Sequence, residues 1–115
     1  MLNVNFCKSE DGKSLILELK GHAGSAEVGR DLVCASATIL AYTVAQIVKD
    51  MYNQGRLRKK PTIRLKEGDS CVACKPKNEA YSEILHSYFV AEVGYNLLAH
   101  NYPEYVQLKM FDKDI

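Results

Sequence analysis

The sequence predicts a two-layer α+β domain, a mixed β-sheet covered on one face by two helices, in the order ββ-α-ββ-α-β. Three observations predict it. Short segments at both ends and in the middle alternate apolar and polar residues, the period of a half-buried strand. Two longer segments repeat apolar residues every three or four positions, the period of one helix face. Turn-forming residues separate them, and 115 residues suffice for a single domain over 1–115 with one core.

Each element has its own signal. Leu2, Val4 and Phe6 alternate with polar neighbours, and Leu15, Leu17 and Leu19 do the same after Glu10-Asp11-Gly12-Lys13. Asp-Gly is a strong hairpin signal, so the chain opens with two paired strands. Asp31 is a good helix N-cap, and Val33, Ala37, Leu40, Val44, Ile47 and Met51 then form an apolar stripe that Gly55 should stop. Pro61 leads into a strand over 62–66, Glu67-Gly68-Asp69 turns the chain, and a further strand covers 70–75. Asn78 is placed to cap a second helix with a stripe of Tyr81, Leu85, Tyr88, Ala91, Tyr95 and Leu98, which Pro103 closes. Gly94 interrupts that pattern. Val106, Leu108 and Met110 alternate as the core face of a last strand.

Composition narrows the function classes. A formal net charge of +1 gives no overall pull toward nucleic acid or anionic membrane. Locally, Arg56-Leu57-Arg58-Lys59-Lys60 reads either as a solvated loop or as a docking patch for an acidic partner such as ribosomal RNA. The start has no basic region followed by an apolar run, so no secretory signal is expected. The uncharged stretch from Leu32 to Val48 falls short of the roughly 20 residues of a membrane span and carries several polar side chains. It is expected to be a helix buried within the protein or in part at a dimer interface. Cys7, Cys34, Cys71 and Cys74 then read as reduced thiols of a cytoplasmic protein.

The stretch from Gly21 to Thr38 carries the chemistry. Gly21, Gly24 and Gly29 mark a mobile loop, with His22 at its start. With Asp31 as cap, Cys34 falls in the first helical turn, where amide N–H groups lack intrahelical partners and the helix dipole is positive. Both favour the nucleophilic thiolate, and the free N–H groups suit a developing oxyanion. Histidine is the usual proton carrier near neutral pH, which suits His22 to act as base and then acid. Asp31 and Thr38 share a helix face with Cys34. Asp31 has two roles open to it, helix cap and partner of His22. Thr38 has two as well, a bond to thiol or substrate, or the commoner bond to a carbonyl one turn earlier.

Gly21-His22-Ala23, Gly29 and Asp31-Leu32-Val33-Cys34-Ala35 resemble the signature of the Prp family of ribosomal-processing cysteine proteases. The residue types and the His-to-Cys interval agree over 21–38, and elsewhere the likeness is one of length and element order. The resemblance implies catalytic His22 and Cys34 and a tendency to form a homodimer. The loop bearing Gly21, Gly24 and Gly29 is expected to gate the bound peptide, and no cofactor is expected. It further implies removal of a short N-terminal extension from large-subunit ribosomal protein L-twenty-seven, in support of ribosome assembly. Family members often carry serine where this chain has Thr38.

Other readings compete. A ribosome-associated, non-catalytic peptide-binding module would share the fold and leave Cys34 inert. A thiol hydrolase or transferase would act on a small molecule instead. Cys71-Val72-Ala73-Cys74 has a zinc or redox spacing, but residues three apart on a strand face opposite ways and no further ligand pair is present, so no metal is expected. His86 and His100 read as surface residues of the second helix.

Overall fold

The computed structural model describes residues 1–22 and 28–111, and in the first helix it describes side chains from Leu32 onward. The elements are β1 (Leu2–Lys8), β2 (Leu15–Lys20), α1 (Val28–Asn53), β3 (Thr62–Lys66), β4 (Asp69–Cys74), α2 (Tyr81–Asn101) and β5 (Val106–Lys109). The sheet order is β3-β4-β2-β1-β5. All neighbours are antiparallel except β1 and β5, which run parallel. The sheet is therefore mixed and open, and both helices pack on it as the sequence predicts.

The alternation in β1 and β2 works as expected. Leu2, Val4, Phe6, Leu15, Leu17 and Leu19 are all buried, and Val72 and Cys74 of β4 extend the same face. On α1 the buried stripe is shifted from the predicted one. Ala41, Ala45 and Val48 are buried with Val33, Ala37, Val44 and Met51, while Leu40 and Ile47 are only partly so. The small alanines turn toward the sheet, and Leu40 points to α2. There a Cβ on Gly94 would lie 2.9 Å from both Leu40 methyl carbons, so the glycine makes room for the helix contact.

On α2 the deepest side chains are Ile84, Tyr88, Ala91 and Tyr95. Both tyrosine hydroxyls find acceptors, Tyr88 on the Val72 carbonyl at 2.9 Å and Tyr95 on the Ala37 carbonyl at 2.8 Å. These bonds tie α2 to β4 and to α1, and burial pushes both phenols upward in pKa. They are core residues and not part of a peptide groove.

Three expectations need correction. Asn78 does not cap α2: it opens a short 3₁₀ turn (Asn78–Ala80), and its Oδ1 accepts from Arg58 Nη2 at 2.7 Å. Met110 lies beyond β5 and is exposed, while Phe111 takes the core position. The Phe111 N–H donates to the buried carboxylate of Glu92 at 2.8 Å, and its ring lies 5.4 Å from those of Phe6 and Phe89. Finally, Leu32–Asn53 spans 22 residues and is long and apolar enough to cross a membrane by length and composition. Its packing, not its length, gives it another role: one face is committed to the sheet and to α2.

Candidate active site

At one end of the sheet, β2 leaves beside the turn joining β3 and β4. Lys20 stands opposite Asp69 in the β2–β4 register, and the Gly21 N–H continues the pairing by donating to the Gly68 carbonyl at 3.0 Å. Lys20 and Arg64 both donate to Oδ1 of Asp69, Arg64 at 3.1 Å. Those hydrogen bonds, Lys20 first, hold the Asp69 carboxyl below its ordinary pKa. The groups are exposed, so they position this end of three strands and add little stability.

Gly21 adopts a φ of 92°, and a Cβ there would lie 2.5 Å from the Met1 carbonyl oxygen. Only glycine fits both the left-handed backbone and the close approach. The chain thus leaves β2 pinched between the start of β1 and the β3–β4 turn, and His22 follows directly. Its imidazole lies against Gly68: a Cβ on that residue would sit 2.7 Å from His22 Nε2.

α1 runs past the same end. His22, Cys34 and Thr38 all line one cavity of about 610 Å³, together with Gly68 of the turn and the α1 side chains Ile39 and Tyr42. Cys34 is half-buried, and Thr38 is exposed one turn further along. The Thr38 hydroxyl makes no hydrogen bond among the described residues, although the Ser36 and Thr43 hydroxyls each donate to the carbonyl four residues earlier. Its hydroxyl is left for a ligand.

The helix begins earlier than its sequence suggests. α1 starts at Val28, so Asp31 is inside it and does not cap it, and Cys34 lies in the second turn. The unpaired amides belong to the turn before Cys34, and the dipole effect fades beyond that turn. Gly29 belongs to the helix and not to a gating loop, Gly24 lies outside the described residues, and Gly21 ends β2 in a fixed, pinched turn.

The model of the family described as cysteine protease Prp matches residues 1–107. The chain belongs to the Prp cysteine protease family. A search of curated proteins finds no match. Among solved structures, SMU.848 from Streptococcus mutans matches with a TM-score of 0.68 at 24% identity, covering 97% of this chain and 96% of that one. The essential ribosomal processing protease Prp from S. aureus, in complex with a substrate peptide, matches with a TM-score of 0.68 at 18% identity, over 97% of this chain and 100% of that one. The same protease with a covalently linked product peptide gives 0.66 at 19% identity, with the same coverage. At these identities the structures establish the Prp fold.

The other cysteines have different surroundings. Cys71 and Cys74 face opposite sides of β4, as a strand requires. Burial pushes Cys74 up to about 11. Cys7 and Cys71 are also raised, by burial first and then by the Glu18 carboxylate. The sequence predicts the β3–β4 turn but places neither that turn nor the apolar wall of Ile39 and Tyr42 at the site. Glu67-Gly68-Asp69 announces a turn, but nothing local says what packs on it. Ile39 and Tyr42 did carry a signal, being large apolar residues off the buried stripe and exposed at 62% and 50%.

Proposed function

We propose that this chain is a cysteine endopeptidase in which Cys34 attacks and His22 transfers protons. In this reading it removes a short N-terminal extension from large-subunit ribosomal protein L-twenty-seven, in support of ribosome assembly. One observation carries the assignment: the thiol and the imidazole line the same cavity, whose apolar wall suits peptide side chains. His22 takes the Cys34 proton as sulfur attacks the scissile carbonyl, then passes that proton to the leaving amine. Water, deprotonated by His22, splits the thioester, and the thiol is restored. Thr38 offers a hydroxyl to the bound peptide, and Asp31 is the candidate to orient the imidazole.

The same reading makes the enzyme cytoplasmic and homodimeric. Val90, Val93 and Leu97 support a dimer, as an exposed apolar stripe along α2 beside its groove with α1.

Mass spectrometry of the extended ribosomal protein tests the activity. Wild type should release the extension, and Cys34→Ala and His22→Ala should not, while keeping wild-type circular dichroism. Full activity of Cys34→Ala overturns the assignment. The position of Cys34 beyond the first helical turn favours a second reading, a non-catalytic peptide-binding module. Alkylation separates the two. A catalytic Cys34 should react first of the four thiols at neutral pH, and His22→Ala should slow it, whereas an inert one should react no faster than Cys7 or Cys71.

A further inference from the structure

The basic run Arg56–Lys60 is unused by the site, and the fold gives it a partner. After α1, Leu57 pairs with Pro76 in an antiparallel bridge. The Arg58 N–H donates to the Lys75 carbonyl at 2.8 Å, and the Lys77 N–H to the Arg56 carbonyl at 3.0 Å. Leu57 and Pro76 turn inward and are buried. Alternation then sends Arg56, Arg58, Lys75 and Lys77 outward together, in like-charged pairs directly opposite each other. Like charges so placed are destabilising, so the ladder's own folding does not explain them.

Local anions account for part of this charge only. Arg56 pairs with Glu83 of α2, and Lys75 feels only a weak electrostatic pull from the Asp11 carboxylate. Arg58 donates to neutral acceptors, the Pro76 carbonyl and Asn78 Oδ1. Lys59, Lys60 and Lys77 are exposed and have no ion pair among the described residues. The patch lies at the opposite end of the sheet from the cavity, since β4 runs from Asp69 beside the site to Cys74 just before Lys75. No aromatic side chain stands within 56–60 or 75–79, which disfavours base stacking and leaves phosphate as the ligand.

We infer that the ladder of Arg58, Lys59, Lys60, Lys75 and Lys77 binds the phosphate backbone of structured RNA, independently of base sequence. The choice of RNA among polyanions rests on the ribosomal reading proposed above. The enzyme would then hold RNA at one end while its cavity faces a ribosomal protein at the other.

Fluorescence anisotropy of a labelled RNA hairpin with the full chain tests this, between 50 and 200 mM KCl. Wild type should bind saturably at low salt, and affinity should fall steeply as salt rises. The triple variant Lys59→Glu, Lys60→Glu, Lys77→Glu should bind at least tenfold more weakly, and the corresponding triple arginine variant should bind like wild type. Both should cleave a substrate peptide at the wild-type rate, which also reports correct folding. Absent wild-type binding, or equal binding by the glutamate variant, overturns the inference. So does equal competition by polyglutamate of matched charge, which would point to an acidic protein surface. Peptide cleavage in the same preparations keeps the two proposals apart, because its loss in wild type would count against the protease reading alone.

Discussion

The two hairpin connections of the sheet differ in length, six residues between Lys8 and Leu15 and two between Lys66 and Asp69, but each carries one left-handed glycine. Gly12, between β1 and β2, has a φ of 73°, and Gly68, between β3 and β4, has a φ of 75°. A Cβ on Gly12 would meet nothing within 4 Å, whereas one on Gly68 would strike the imidazole of His22. Each turn also holds an aspartate below its usual pKa. Asp11 is held by the Ser9 hydroxyl and the Lys13 N–H, both neutral, and Asp69 by the cations Lys20 and Arg64. One turn reverses the chain far from the site and anchors α2, its Gly12 carbonyl accepting from the Tyr81 hydroxyl at 2.8 Å. The other reverses it and forms a wall of the site, so a residue's conformation alone does not reveal its part in function.

Paired substitutions sharpen this contrast. Gly12→Ala and Gly68→Ala should each cost about 1–2 kcal/mol for left-handed backbone, read by urea unfolding. Gly68→Ala alone should also displace His22 and lower kcat for peptide cleavage at least tenfold. Equal activities in the two variants would break the comparison.

Acid unfolding gives a smaller effect. Both aspartates have depressed folded-state pKa values, so the stability they contribute is complete above the unfolded value near 3.8 and is lost as pH falls through the folded one. Asp11→Asn and Asp69→Asn should each flatten the loss of stability below that pH and leave its slope between pH 6 and 8 unchanged. Denaturant titrations at several pH values read this directly.

Salt should produce the smallest difference. Carboxyl titration by NMR at low and high sodium chloride should show the Asp69 value climbing toward 3.8 as its cations are screened, with Asp11 moving less. Equal movement would mean that the two turns are electrostatically alike.

Much of this was legible in the sequence because the signals are local. The alternation of Leu2, Val4 and Phe6, and of Leu15, Leu17 and Leu19, is a direct image of the sheet's inner face. The apolar spacing likewise marks both helices. Failures came where a local rule met a tertiary one. Asp31 looks like a cap, but helix extends back through Gly29 to Val28, against the glycine's low propensity. Asn78 also looks like a cap, and its side chain serves Arg58 instead. Phe111 displaces Met110 from the core because Glu92 holds its amide. At the candidate site, the family resemblance singles out His22 and Cys34, and both line the cavity. The neighbours Gly68, Ile39 and Tyr42 depend on which strand ends meet, and that is written in no single segment.

The approach of Gly21 to the Met1 carbonyl has a practical side. Any peptide fused ahead of Met1 would start beside Gly21, the neighbour of His22 in the cavity lining. β5 runs parallel to β1 and carries the chain toward Phe111 and away from Met1. An affinity handle ahead of Met1 would therefore sit beside the proposed catalytic histidine, and activity is best assayed with that end left bare.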